Sequence, residues 1–371
     1  MTTPETTAVA PYRLSPLGAH TDHQEGLTCG LALDKALRLR FRPRPDTRVC
    51  VTSEGFGEAA FDVLGPRGPG GGFGDHLRGV AAVARERVSL ARGIEGTVEG
   101  ELPPGGIASS AALQTAFLLA LLAANEVALD PSECLDLLVT SERRATGVRI
   151  GRLDPAVILY GREGTLVFLD CREDIPRRVR IARKMPPFRF VLVDSGVRRD
   201  LRASPYNERV DECRRAAIQA GAVGEPPVLR DVDPERFRRK RREVDPTAAR
   251  RAEHYFSEVK RVKLGVQAVQ RGDLEQWGHL IQSSGESLVR FFDCGTPETV
   301  ALLEIASSCS GVLGASFAGA GFGGLVQALV RLEDAERVAG EMLERYLRAF
   351  PAMEGKARSF IVGTGDGAHV R

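Results

Sequence analysis

The chain has 371 residues, 43% hydrophobic and 27% charged, the proportions of an ordinary globular protein of about two domains at roughly 150 residues each. Its 51 basic and 49 acidic side chains leave a net charge of +2, so no global field directs it to nucleic acid or to a membrane. Seven scattered cysteines without a C-x-x-C pair, an N-terminus without a secretory signal and a longest apolar run (Ala116–Ala124) half the length needed to span a bilayer all predict a soluble cytoplasmic protein with reduced thiols.

In chain order, the first strand pattern is Ala36–Phe41, where Leu37, Leu39 and Phe41 alternate with arginines and would bury one face. Arg48–Thr52 and Ile94–Leu102 are further strands, and the Gly- and Pro-rich run Gly65–Gly74 between them reads as a loop. Pro103–Leu113 (PPGGIASSAAL) then joins a strand to a helix, Ser110–Asn125, that is apolar nearly all round and therefore buried. Its glycines allow close backbone approach, and the helix start presents unsatisfied N–H groups and a positive dipole end, which together make a phosphate cradle. A Walker A loop is excluded, because no G-x-x-x-x-G-K-[ST] occurs in the segment.

A second helix, Pro131–Thr146, opens with Asp130 as cap, Pro131 at its first position and Glu133 in the first turn. Strands follow at Leu166–Leu169 and Phe190–Asp194, and Pro186-Pro187 between them suggests a boundary within 180–188, dividing 9–185 from 186–371. The basic run Arg236–Arg242 is flanked by Asp231, Asp233, Glu235, Glu243 and Asp245, so it reads as a solvated helix face. Glu253–Gln270 is a long amphipathic helix. Gly319–Gly324 contains a formal G-x-G-x-x-G, but the residues after it, Leu325–Val330, pattern as a strand where a dinucleotide fold requires a helix, which discards NAD binding. Strands first, then helices and strands mixed, favour an α+β protein.

Four segments carry a resemblance. Tyr12–His23 (YRLSPLGAHTDH) is similar to the galactokinase signature G-R-x-N-x-x-G-E-H-x-D-Y, with Arg13, Gly18, His20 and Asp22 in register and Ala19 in place of its glutamate. The Pro103–Leu113 segment resembles the second motif of the GHMP kinases, P-x-G-x-G-L-S-S-S-A-A, with Ala108 replacing the first serine. Gly314–Gly324 resembles the third motif, G-x-R-M-T-G-A-G-F-G-G, with Ser316 and Ala318 in place of its arginine and threonine, so polar contacts from those side chains should be missing. Glu142, Gly147, Gly151 and Asp154 match the spacing E-x-x-x-x-G-x-x-x-G-x-M-D-Q, with Pro155 in place of the glutamine.

The resemblance covers Pro11 to about Ala368. It implies a two-domain GHMP kinase fold, the N-terminal half like domain 2 of ribosomal protein S5 and the C-terminal half ferredoxin-like, with the active site between them. ATP is then the phosphoryl donor, its phosphates held by Gly105, Gly106, Ala108, Ser109, Ser110, Ala111, Gly319 and Gly321. Glu142 and Ser110 would hold Mg²⁺, a hard cation that prefers oxygen ligands. Asp154 would be the catalytic aspartate beside the anomeric hydroxyl, and Arg13 would offset charge developing on the transferred group. His20, Asp22, Tyr206 and Gly151 would meet the sugar, and Phe73 is a candidate for the adenine pocket.

The substrate rests on the departures. Ser15, Ala19 and His23 stand where galactokinases carry Asn, Glu and Tyr, and the run PLGAHTDHQ resembles the galacturonokinase branch. In the family the missing glutamate bonds the C6 hydroxyl, and two unit charges ~4 Å apart cost on the order of 4 kcal/mol at an effective dielectric of about 20. Ala19 removes that repulsion toward a uronate. His23, Arg198, Arg199 and the amides after Gly18 are candidates to bind the sugar carboxylate. The expectation is a kinase for D-galacturonic acid at C1. A kinase for galactose or another neutral sugar and a non-catalytic sugar sensor are the alternatives, and neither nucleic acid nor membrane is expected as partner.

Overall fold

The computed structural model describes residues 5–65, 72–146, 151–173, 175–198 and 204–371. Gly147, Arg199 and most of the glycine-rich loop after Gly65 lie outside these residues. The chain begins β1 (Thr6–Leu17), β2 (Leu27–Pro43), β3 (Arg48–Ser53), β4 (Gly57–Asp62), α1 (Gly74–Ala84), β5 (Ile94–Gly100) and α2 (Ser109–Ala124). It continues α3 (Pro131–Thr146), α4 (Leu153–Tyr160), β6 (Thr165–Asp170), β7 (Arg177–Arg180), β8 (Phe188–Asp194), α5 (Tyr206–Gln219), α6 (Pro234–Lys240) and α7 (Pro246–Arg271). Last come α8 (Leu274–Ser287), α9 (Pro297–Ser308), β9 (Val312–Phe317), β10 (Leu325–Arg331), α10 (Ala335–Ala349), β11 (Arg358–Val362) and β12 (His369–Val370).

The α+β reading holds. Eight strands form one sheet, in the order β12-β1-β2-β5-β3-β4 with β6 and β7 continuing from β2, and four form a second, β11-β8-β10-β9. All pairs are antiparallel except β3 with β5. The first sheet takes its strands up to Arg180, the second starts at Phe188, and β12 returns the end of the chain to β1. One apolar cluster runs between the two halves, joining Leu14, Leu39 and Phe117 to Phe190, Trp277 and Leu329.

β1 is a strand that the alternation rule does not reveal. From Ala8 to Leu17 every residue is buried, so both faces are covered and no polar period is left to read. Pro11 and Pro16 fall at shifts of register against β2, which is where a strand tolerates proline. The same applies to β2. Only its second half alternates, and Leu27–Leu33 is buried on both sides.

α2 forms because its apolar residues leave no polar face to solvate, and it packs against β1 and β2. α3 begins with reciprocal caps: the Ser132 and Glu133 amides donate to Asp130 Oδ1, and the Asp130 amide donates to Glu133 Oε2. α7 starts seven residues earlier than its apolar period, at Pro246, because Asp245 accepts from the Ala248 amide as N-cap. Arg236–Arg242 lies on and just after α6, with Arg238 paired to Glu235 and Arg241 to Glu253, which is the solvated face expected. All seven cysteines are free thiols. No helix among the described residues is long and apolar enough to cross a membrane.

Phe117 is fully buried in α2, its ring 6.2 Å from Phe61. Phe117→Ala should cost about 3–5 kcal/mol in urea unfolding, and a loss under about 1 kcal/mol would mean that α2 does not anchor the core.

Candidate active site

A cavity of about 1060 Å³ is lined by residues from both halves, among them Arg13, Ala19, His20, Asp22, Glu142, Asp154, Arg198 and Tyr206. The two glycine segments form one wall. Gly105 and Gly106 have φ of +123° and +82°, and Ala108 adopts the left-handed region at +58° as the residue before α2. A Cβ on Gly319 would lie 2.7 Å from Gly106 Cα, so the segments touch backbone to backbone. Leu325 begins β10, which confirms the strand reading against a dinucleotide fold.

Arg13 connects these parts. It projects from β1 and is 6% exposed. Its Nε donates to Asp154 Oδ1 at 2.7 Å, and its Nη1 donates to the carbonyls of Gly106 and Ala318, each at 2.9 Å. Asp154 sits in the first turn of α4, where a carboxylate is favoured by the helix dipole. Ala318, standing where a threonine was expected from the resemblance, contributes its carbonyl, and its methyl packs in the apolar core without a polar contact.

The segment after β1 turns sharply. Gly18 has φ +96°, with no room for a Cβ against Thr28, and His20 has φ +59°. Burial pushes the His20 imidazole well below its usual range, with the His23 and His254 rings adding to the shift, so it is neutral near pH 7. Its Nε2 lies 3.1 Å from the Ala320 carbonyl, which can only accept; the proton therefore sits on Nε2, and Nδ1 is left as an acceptor. The ring stacks on Phe292 at 4.4 Å and lies 5.5 Å from the Tyr206 ring.

Asp22 fits against Gly151, where a Cβ would come within 2.1 Å of Asp22 Oδ2. Burial, with the nearby Asp154 charge, pushes its carboxyl from the ordinary 3.8 up to about 6. The Tyr206 phenol is pushed well above its usual range by burial and then by Asp22 and Asp154, which places all three groups in one electrostatic neighbourhood.

Ser110, in the first turn of α2, and Glu142, on α3, line the same cavity, and Glu142 Oε2 lies 3.6 Å from His76 Nδ1. Among the described residues no group of three or more His, Cys, Asp or Glu side chains is arranged to hold a metal. One carboxylate and one hydroxyl suit an ion that keeps most of its shell as water and phosphate oxygen.

Two expected contacts are not where the resemblance put them. His23 does not line the cavity; its ring packs 6.0 Å from Tyr206 and 6.4 Å from Phe292, and Gln24 Nε2 lies 3.1 Å from its Nδ1. Ala111 does not line the cavity, and its side chain belongs to the apolar core. Arg198 lines the cavity beside Gly105, with its guanidinium held by both oxygens of Asp194 at 2.6 and 2.8 Å.

Three neighbours escaped the sequence reading: His254, Glu258 and Phe292. His254 Nε2 donates to the Ala19 carbonyl at 3.0 Å, and Glu258 Oε1 accepts from the Gly18 amide at 2.7 Å. The available signal was a polar series, Arg251, His254 and Glu258, at helical spacing on the buried face of α7.

Residues 75–162 match the GHMP kinases N terminal domain and residues 266–348 the GHMP kinases C terminal domain. The chain is 36% identical to a galacturonokinase of Arabidopsis thaliana over 392 aligned positions, covering 98% of this chain and 92% of that protein. It is 30% identical to a galactokinase of Roseiflexus sp. (strain RS-1), over 91% of this chain and 86% of that protein. The crystal structure of Lactococcus lactis galactokinase complexed with galactose superposes with a TM-score of 0.89 at 26% identity, covering 99% of this chain and 95% of the other.

The Asp22 carboxyl gives a test of this geometry. Its folded pKa is raised, so its contribution to stability is complete below about 3.8 and is lost as pH rises through about 6. Asp22→Asn should therefore melt higher than the parent at pH 7.5, by about 3 kcal/mol at most, and the gap should close as pH falls toward 4. A gap independent of pH would contradict the burial of this charge.

Proposed function

The chain belongs to the GHMP kinases, and from that premise we propose that it is an ATP-dependent sugar-1-kinase acting on D-galacturonic acid to give α-D-galacturonate 1-phosphate. The observation that carries the reading is the Asp154 carboxylate fixed by Arg13 between the two glycine segments, in a cavity whose position 19 bears no acid.

Asp154 accepts the hydrogen bond of the anomeric hydroxyl and takes its proton as the oxygen attacks the γ-phosphorus of ATP. The bond from that phosphorus to the bridging oxygen breaks, and ADP leaves. Arg13 holds Asp154 in place and offsets negative charge building on the transferred group. The amides around Gly105, Gly106 and Ser109 and the positive end of α2 bind phosphate oxygens. Glu142 and Ser110 are the residues that would hold Mg²⁺, whose charge, when bound with the nucleotide, neutralises the phosphates. The apolar residues Leu37, Phe73, Val98 and Leu102 line the same cavity and suit an adenine ring.

The sugar rests among His20, Asp22, Gly151 and Tyr206. His20 Nδ1 accepts from a ring hydroxyl, and the Asp22 carboxylate accepts from another. Ala19 leaves space and no charge for a carboxylate at C6. The relatives support this choice in kind, since a galacturonokinase matches over nearly the whole chain.

Side-by-side kinetics should give a higher kcat/KM on D-galacturonate than on D-galactose, and the reverse order would move the substrate to the neutral sugar. Ala19→Glu should lower kcat/KM on galacturonate by a hundredfold or more, given about 4 kcal/mol of repulsion at ~4 Å, while the KM for ATP stays within about threefold. Equal loss toward both substrates would instead indicate a disturbed fold.

A further inference from the structure

We infer that His254 is a positioning residue for sugar selection, acting through the peptide that carries Ala19. The inference rests on the sugar-kinase reading and concerns how the C6 end of that pocket is held.

Ala19 has only a methyl group with which to fix its place, so its position depends on its backbone. The polar groups that fix it come from the other half of the chain. His254 and Glu258 lie one turn apart on α7 and are both fully buried. His254 Nε2 is 3.0 Å from the Ala19 carbonyl, and the Gly18 amide donates to Glu258 Oε1 at 2.7 Å. The two contacts thus bracket the Gly18–Ala19 unit, gripping an N–H at one end and a C=O at the other.

Each grip is itself held. Glu258 also accepts from Ser284 Oγ at 2.8 Å and from Arg261 Nε at 2.6 Å, so its buried charge is compensated. His254 Nδ1 is 2.8 Å from Ser287 Oγ. A backbone carbonyl only accepts, so the proton is on Nε2, and Nδ1 accepts from the serine hydroxyl. Burial lowers the pKa of the imidazole, in keeping with one neutral tautomer. Ser287 is the last residue of α8, directly before the π-helical turn Leu288–Phe292, and Phe292 stacks on His20 at 4.4 Å. His254 therefore ties the Ala19 peptide to the turn that backs the neighbouring cavity residue.

The arrangement has a direction. Gly18 at φ +96° and His20 at φ +59° are both left-handed, so this stretch holds its shape only while its surroundings hold it. Removing the His254 donor leaves the Ala19 carbonyl without that partner, and the peptide is free to rotate or to shift. A shift there moves the wall at C6 and leaves the Arg13–Asp154 pair untouched, because those side chains are held by separate bonds. Sugar affinity and the preference between acid and neutral sugar should then change together, with ATP binding unaffected.

The experiment compares His254→Leu with His254→Gln in the full chain, measuring KM and kcat for D-galacturonate, D-galactose and ATP alongside thermal melting. Glutamine places an amide donor near the former Nε2, whereas leucine offers none. We expect His254→Leu to raise the KM for the preferred sugar at least tenfold and to narrow the ratio of kcat/KM between the two sugars. The KM for ATP should stay within about twofold, and His254→Gln should recover most of the sugar KM. An unchanged sugar KM in His254→Leu overturns the inference. So does a parallel rise in both KM values with no recovery by glutamine, which would mark a merely structural histidine. A parent enzyme that prefers galactose would overturn the substrate reading alone, since the His254 comparison is then read on galactose.

Discussion

The Arg13 guanidinium is the interaction on which the site depends. It is nearly buried, and a buried charge is tolerated only when it is paired and its donors are used. Three bonds meet that condition, one to the Asp154 carboxylate and two to the carbonyls of Gly106 and Ala318. They join β1, which lies between β12 and β2 in the first sheet, to the α4 start and to both glycine segments. The glycine wall and the Asp154 carboxylate are thereby held to one another by a single side chain. The glycine contacts make this possible, because a side chain at Gly319 would push the two segments apart.

Charge also explains why position 19 matters. Beside Ala19 and His20 the cavity already holds a close pair of carboxylates, Asp22 and Asp154, near enough that Asp154 helps raise the Asp22 pKa to about 6. A further acid at position 19, together with one on the substrate, would add like charge beside a pair whose ionisation is already opposed. On the proposed reading, alanine at 19 leaves the negative charge at C6 to the sugar. The cost of that arrangement falls on the backbone, which must be placed without help from a side chain, and α7 supplies the missing anchors.

How much of this was legible in the sequence varied with the physics of each element. The start and end of α3 and the extent of β3 could be read because a cap, a proline or an alternating face marks them. β1 and the first half of β2 could not, since burial on both faces erases the alternation that reveals a strand. Arg13, His20, Asp22 and Asp154 were found through motif register, and the fold brings them together across 141 residues of separation in the case of Arg13 and Asp154. His23 was a candidate because it stands at the last position of the first motif, yet it does not line the cavity and packs edge-on to Tyr206, because the 3₁₀ turn Asp22–Gln24 sends successive side chains in different directions. His254 and Glu258 carry no short motif, and what they do is set by tertiary contacts more than 230 residues away along the chain.

The claim that the geometry of one guanidinium unites the site is tested most directly by Arg13→Lys, which keeps the charge and removes the fork that reaches Asp154 and both carbonyls at once. Stopped-assay kinetics and equilibrium binding of ATP and sugar should show kcat lowered by about 10²–10³-fold with dissociation constants changed only a few-fold. A kcat within about threefold of the parent would contradict the account, because positive charge alone would then suffice.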